Sequence, residues 1–264
     1  MKKLIALAVL TSAVAASQAV VLYDSNGFEG FALGNLSGQN NFTTDLATPV
    51  FNVQNTFVQG TKAVQVNGGV AGSNWSYPTT TAFVPTPTQN IARISVDIAR
   101  TVSGTTPSFA YAIDVYNTGS LNAFARTLRF GLTSSAGNVR AFVTSRFNTT
   151  TLQFDAASAV TNVLVTGALT QSTWYRFNVD MNYTTKRARI LINNTDIAGG
   201  FVIPFADLLA ADFSDADLHV SSNVNATDRG YFDNYKVEAV PEPGTIAALG
   251  LGAAAILRRR KASK

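Results

Sequence analysis

Alternation of apolar and polar residues is the feature that most limits how this chain can fold. In residues 91–99, the apolar side chains Ile94, Val96 and Ile98 alternate with polar ones, and residues 108–116 repeat this period. Successive side chains of a β-strand point to opposite faces, so a period of two predicts strands with one core face and one solvated face. Helical periodicity is nearly missing from the same region.

Gly, Asn, Thr and Ser separate the alternating segments, as is typical of turns between short strands. Strands are predicted at 20–24, 50–54, 62–67, 81–84, 91–100, 108–117, 122–132, 138–147, 159–166, 173–183, 186–193, 217–222 and 230–238. A short helical turn at Phe205–Leu209 is predicted after Pro204. So many strands with one solvated face predict an all-β fold in which two antiparallel sheets stack as a sandwich.

The clearest hairpin is predicted between residues 173 and 193. Its turn falls at Thr184-Thr185, and its predicted inward side chains are Tyr175, Phe177, Val179, Met181, Ala188, Ile190 and Ile192.

Residues 1–19 have the three zones of a secretory signal peptide: Lys2 and Lys3, an apolar stretch, and a small-residue end at Ser17-Gln18-Ala19. The predicted signal-peptide helix is cut by signal peptidase after Ala19. A retained N-terminal membrane anchor is the alternative.

The last residues, 241–264, predict a separate anchor segment. Pro241 and Pro243 cannot continue a strand ladder, so one folded domain is predicted over residues 20–240. The uncharged run Thr245–Leu257 predicts a transmembrane helix, although about 20 Å of helix is shorter than the roughly 30 Å hydrocarbon core. A disordered basic tail and a buried core helix are the alternatives.

The order of these parts resembles the PEP-CTERM protein-sorting signal of Gram-negative bacteria. The matching residues are Pro241, Glu242, Pro243, Arg258, Arg259 and Arg260, on either side of the apolar run. The resemblance implies recognition by an exosortase, a membrane thiol protease. It also implies membrane anchoring with the domain facing the periplasm, then delivery to the cell surface or an extracellular polysaccharide matrix after the tail is processed.

The net charge of +4 comes mostly from the two ends. Without the seven basic residues of these ends and without Glu242, 13 basic and 15 acidic residues remain. The central domain is therefore near −2, and nucleic acid is not expected as a partner. Cysteine is absent, so no disulfide can stabilise an exported domain.

The segment TWYRFNVDMNYTTKRARILINN, at residues 173–194, resembles the penultimate hairpin of concanavalin A-like and laminin-G-like jelly rolls. The opening Gly27-Phe28-Glu29 and the closing Phe232-Asp233-Asn234 are also similar to those of carbohydrate-binding jelly rolls. The resemblance implies that the first and last strands lie side by side. It also implies a structural calcium held by Glu29, Asp233 and Asp24, unless these are solvated turn residues.

A glycan site needs aromatic rings for the apolar faces of sugars and polar groups for their hydroxyls. The candidates are Trp75, Tyr77, Arg93, Asp97, Asp114, Tyr116 and Trp174. The alternatives are that Trp174 packs in its hairpin and that the charged residues form an ordinary solvated face.

An enzyme is the less favoured hypothesis. The Glu-x-Asp-x-x-Glu motif of jelly-roll glucanases is absent, although Asp97, Asp114 and Asp180 could share one sheet face. Asp215, Asp217 and His219 are predicted on the outer face of a strand, and the one histidine supports no catalytic triad. The sequence therefore predicts an exported, non-catalytic glycan-binding or structural module. A polysaccharide hydrolase or lyase is the alternative.

Overall fold

The structure, a computed structural model, describes residues 18–44, 50–67, 74–79, 81–101, 108–117, 126–135, 138–145, 147–148, 153–154, 160–162, 168–205, 212–221 and 227–241. The predicted membrane helix at 245–257 lies outside these ranges, as does the predicted signal-peptide helix apart from its last two residues. No helix in the described ranges is long and apolar enough to span a membrane.

The described chain consists of β-strands and one 3-10 turn, Asn26–Phe28. The strands are β1 Val20–Asp24, β2 Gly34–Asn35, β3 Phe42–Thr44, β4 Phe51–Gln54, β5 Ala63–Asn67, β6 Asn74–Pro78, β7 Ile91–Thr101, β8 Ser108–Tyr116, β9 Arg126–Ser135, β10 Asn138–Ser145, β11 Phe147–Asn148, β12 Gln153–Phe154, β13 Val160–Asn162, β14 Tyr175–Asn182, β15 Arg187–Ile192, β16 Thr195–Asp196, β17 Ile203–Pro204, β18 Asp215–Val220 and β19 Arg229–Val240.

These strands form two main sheets. The larger sheet has the order β16-β15-β14-β7-β19-β5-β4-β2, with β1 paired to β19 and β17 paired to β15. The smaller sheet has the order β13-β10-β9-β8-β18-β6-β3. Strands β11 and β12 form a separate two-stranded sheet. All pairings between the described strands are antiparallel.

The two sheets pack face to face around one apolar core. Ile94 and Val96 of β7 are fully buried in the same cluster as Ile113 of β8. Across the layers, the rings of Phe130 and Phe177 lie 5.9 Å apart between centroids. The predicted antiparallel two-sheet sandwich is thus confirmed. The apolar residues that alternate along each strand form the inner faces of the two sheets.

The predicted hairpin is also confirmed. β14 and β15 pair from Phe177 with Ile192 to Asn182 with Arg187, so the chain turns at residues 183–186. All seven predicted inward side chains are buried. The first and last strands lie side by side, as the jelly-roll resemblance implies, because Val20 pairs with Ala239 and Asp24 with Lys236.

Some predicted strands were wrong. Residues 81–84 form no strand and contribute only an isolated bridge between Phe83 and Phe213. Prolines 85 and 87 lack the N–H that a ladder requires. Strands β2, β3, β6, β12, β16 and β17 were not predicted. All of these except β6 are two or three residues long, too short for a period to show. Of the predicted helical turn at 205–209, only Phe205 is described.

The expected solvated outer faces were also wrong in part. Asp97, Asp114 and Asp180 have the predicted polar parity, yet they are only 3%, 0% and 1% exposed. Longer neighbouring side chains, including those of Arg129 and Arg189, cover these short carboxylates and bond to them.

Candidate functional site

The structure divides the predicted glycan-binding residues between two surfaces. Arg93, Asp97 and Trp174 lie on or beside the larger sheet. The other four, Trp75, Tyr77, Asp114 and Tyr116, lie on β6 and β8 of the smaller sheet. The outer faces of a sandwich point in opposite directions, so one groove cannot contain both groups.

The same separation corrects the idea that Asp97, Asp114 and Asp180 could share one face. Asp97 and Asp180 lie on β7 and β14 of the larger sheet, whereas Asp114 lies on β8 of the smaller one. The three carboxylates therefore cannot form one catalytic set.

On the smaller sheet, Asp114 is the centre of a buried polar cluster. The Asp114 carboxylate accepts hydrogen bonds from the Arg129 guanidinium, from Trp75 Nε1 at 2.9 Å and from the Tyr116 hydroxyl at 3.4 Å. The His219 Nδ1 atom lies 3.6 Å from Asp114 Oδ2. Because Asp114 and His219 are both 0% exposed, neither can contact a ligand in this conformation.

The prediction that Asp217 and His219 face away from the core on β18 was correct, but the prediction that this face is solvated was wrong. Asp217 is 5% exposed and His219 is 0% exposed, while Ala216, Leu218 and Val220 enter the core. The His219 ring lies 5.3 Å from the ring of Trp75, between centroids. Trp75 therefore packs over the only histidine of the chain.

On the larger sheet, three rings form the aromatic cluster: Phe57, Trp174 and Tyr231. Phe57 and Trp174 are stacked with 5.3 Å between centroids and 22° between planes. Tyr231 lies 4.5 Å from Phe57 and 6.4 Å from Trp174. Phe57 and Trp174 remain partly exposed, so this cluster can offer apolar surface to a ligand.

A polar pocket of about 500 Å³ lies next to the aromatic cluster on the larger sheet, because Asp233 of its lining is two residues from Tyr231 on β19. It lies where β1, the 3-10 turn and β19 meet, and its lining includes Asp24, Glu29, Gln59, Arg176, Asp233 and Asn234. Arg176 on β14 is two residues from Trp174, which lies just before that strand, and Gln59 is two residues from Phe57. Rings and polar groups therefore lie side by side.

The pocket brings together the opening and closing segments that the sequence analysis paired. Gly27 has φ +64°, and a Cβ placed there would lie 3.2 Å from Asn234 Oδ1 and 3.4 Å from Asp233 Oδ1. The turn therefore approaches β19 closely at a position that favours glycine. Asn234 itself donates to Asp97 Oδ2 at 2.7 Å, and the Arg176 Nη1 atom lies 3.3 Å from the same oxygen.

The three predicted calcium ligands, Asp24, Glu29 and Asp233, all line this pocket. However, the described residues contain no group of three or more His, Asp or Glu side chains arranged to hold a metal ion. Glu29 accepts from the N–H and hydroxyl of Thr61, and Asp233 accepts from the N–H groups of Gln59 and Asn234. A calcium ion would have to compete with these donors.

Two of these carboxylates have shifted pKa values. The hydrogen bonds from Thr61 lower the pKa of Glu29. Burial raises the pKa of Asp233 to about 6, helped by the nearby charges of Asp97 and Glu29, while the Gln59 and Asn234 N–H groups oppose the shift. Asp233 therefore changes charge in mildly acidic solution.

Sequence reasoning missed Phe57, Gln59 and Tyr231 as site residues. Phe57 and Gln59 lie in a polar segment without strand periodicity, and Tyr231 is 57 positions from its partner Trp174. Only the pairing of β19 with β7 and β5 brings these rings together.

Comparison with known proteins identifies the C-terminal segment. Residues 239–261 match the PEP-CTERM protein-sorting motif, and this range includes all six predicted motif residues. The motif indicates an exported, membrane-associated protein that is sorted to the surface, with an exosortase as the processing protease. No curated protein matches the chain.

Several solved structures share the fold. The alginate lyase Aly36B gives a TM-score of 0.54 at 10% identity, covering 84% of this chain and 96% of that one. The carbohydrate esterase vb_24B_21 of the Shiga toxin-encoding bacteriophage phi24B gives 0.52 at 11% identity, covering 84% and 100%. The T. cruzi calreticulin globular domain gives 0.53 at 10% identity, covering 93% and 100%. These likenesses support the jelly-roll fold and, at such identity, nothing beyond it.

Proposed function

We propose that the protein is a surface or matrix-associated glycan-binding module and that its site is the aromatic cluster together with the adjacent polar pocket. The observation that carries this proposal is the stacked pair Phe57 and Trp174, whose members are two residues along the chain from Gln59 and Arg176 of the polar pocket. Rings can cover the apolar face of a sugar, while amide, guanidinium and carboxylate groups bond to its hydroxyls.

The sorting motif provides independent support for this proposal. A protein sorted to the cell surface works among surface polysaccharides. Alginate is the first glycan to test, because proteins of this fold include an alginate lyase.

The test is a glycan array with the purified protein, followed by calorimetric titration with the best ligand. We expect Trp174→Ala to weaken binding at least tenfold, which corresponds to about 1.4 kcal/mol. Tyr77→Ala on the opposite sheet is the matched control and should leave the affinity unchanged. Loss of binding in Tyr77→Ala alone would move the site to the smaller sheet, and no binding to any glycan would refute the proposal.

The same titration tests the calcium prediction and the enzyme alternative. A structural calcium in the pocket would be supported if a chelator weakens glycan binding by the wild-type protein but does not change binding by Glu29→Gln. Shortened oligosaccharides among the recovered ligands would instead indicate a polysaccharide hydrolase or lyase.

A further inference from the structure

Both ends of the domain leave the larger sheet at the same place. Val20 pairs with Ala239, so the start of β1 lies beside the end of β19. Farther across the sheet, Val240 pairs with Ile91, Ile91 with Asn182, and Asn182 with Arg187. This row of paired residues defines one end of the sandwich, which we call the terminal end.

The terminal end carries most of the exposed large apolar side chains of the described chain. Val20, Val21, Val84 and Val202 are 47%, 50%, 71% and 46% exposed. Val20 and Val21 begin β1, and the Val202 carbonyl accepts a hydrogen bond from Arg187 Nη1 at 2.8 Å. Val84 follows Phe83, whose ring meets that of Tyr183 beside the β14–β15 turn.

The remaining exposed large apolar residue of the described chain is Leu33, which is 56% exposed. It directly precedes β2, at the far edge of the larger sheet from β14 and β15. Leu33 is therefore isolated from the four valines, which share one end.

Basic side chains flank these valines. Lys186 and Arg187 lie at the β14–β15 turn, and Lys186 Nζ is 5.6 Å from the Tyr183 ring centroid. Apolar side chains next to basic ones are the composition of surfaces that rest on anionic lipid, where the valines enter the interface and the cations meet the headgroups. The sorting motif, with its apolar run and its arginines, begins at residue 239 of this same end.

We propose that the terminal end of the sandwich rests on an anionic lipid surface while the sorting tail is attached. This docking surface consists of Val20, Val21, Val84, Val202, Lys186 and Arg187. The proposal does not depend on glycan binding. It places the aromatic cluster away from the lipid, because Tyr231 is nine residues from Val240 along β19, about 30 Å at about 3.3 Å per residue.

Site-directed spin labelling of the full chain tests the proposal, since the absence of cysteine makes each new cysteine unique. The variants Val84→Cys and Val202→Cys are labelled, with Leu33→Cys as the matched control. The protein, with its tail, is reconstituted into vesicles of phosphatidylethanolamine and phosphatidylglycerol. Relaxation by oxygen reports contact with lipid, and relaxation by a water-soluble nickel complex reports contact with water.

We expect labels at 84 and 202 to be relaxed more by oxygen, and the label at 33 more by the nickel complex. In vesicles of phosphatidylcholine alone, the labels at 84 and 202 should move toward water, because the headgroups no longer attract Lys186 and Arg187. Equal nickel accessibility at all three positions in the anionic vesicles would overturn the proposal. So would spin–spin coupling between copies, since it would show the valines covered by a second chain.

Discussion

Arg100 is the residue whose role is least visible in the sequence. It has the same parity on β7 as Ile94, Val96 and Ile98, so its side chain points between the sheets. Its Nη2 atom lies 2.8 Å from Asp228 Oδ2, and both side chains are 0% exposed. The guanidinium carbon lies 5.2 Å from the centroid of the Tyr111 ring, which adds a cation–π contact.

Removing Arg100 should destabilise the protein strongly. Arg100→Met would leave the Asp228 carboxylate buried without this partner, and we expect the free energy of unfolding to fall by about 3–5 kcal/mol. Arg93→Met on the same strand is the control. Arg93 is 37% exposed and its partner Asp180 keeps Arg189, so we expect a loss of about 0–1 kcal/mol. Urea unfolding measures both, and equal losses would contradict the buried pairing.

Asp233 should make stability depend on pH. Its folded pKa of about 6 is above the ordinary value of 3.8, so the folded state holds this proton more tightly than the unfolded chain. The contribution of Asp233 to stability is therefore present at low pH and is lost as pH rises from about 4 through about 6. Because asparagine does not ionise, the stability of Asp233→Asn relative to wild type should increase as pH rises from about 4 to about 6, as measured by thermal melts. Asp24→Asn, altering a 45% exposed side chain in the same pocket, is the control, and parallel curves for wild type and Asp233→Asn would refute the assignment.

At the scale of elements, neighbouring residues of the β14–β15 hairpin contribute differently to stability, because alternate side chains point into the core and away from it. Ile190 is 0% exposed in the core, whereas Leu191 faces outward and is only partly buried. We expect Ile190→Ala to lower the free energy of unfolding by about 2–5 kcal/mol through lost burial and an unfilled cavity. Leu191→Ala should cost less than about 1 kcal/mol. Chemical unfolding of the two variants checks the register, and the reverse order would mean that β15 is shifted by one residue.

At the scale of the molecule, β19 holds the larger sheet together. It pairs with β7 on one side and with β5 and β1 on the other, and Val237, Ala239 and Val240 are buried. A chain ending at Val240 should therefore unfold at the same temperature as the protein with its tail. A chain ending at Lys236 would lose the last four pairs to β7 and should show no cooperative transition. Calorimetry distinguishes the two, and equal melting of both chains would show that the end of β19 is dispensable.

The sequence by itself determined the features whose signals are local. Alternation marks the longer strands, and the Tyr183–Lys186 turn lies between two runs of inward apolar residues, so the hairpin could be predicted residue by residue. The sorting motif at 239–261 is likewise a contiguous pattern. These predictions succeeded because a strand's face and a linear motif depend on neighbours within a few positions.

Only the tertiary structure decided which strands share a sheet and which polar groups are buried. Parity alone placed Asp97 and Asp114 in one class, but the strand order puts them on opposite surfaces. Phe57, Trp174 and Tyr231 meet through a ladder that joins distant segments, and Arg100 finds Asp228 across 128 positions. No local pattern encodes such pairings, because each depends on the packing of strands that are remote in the chain.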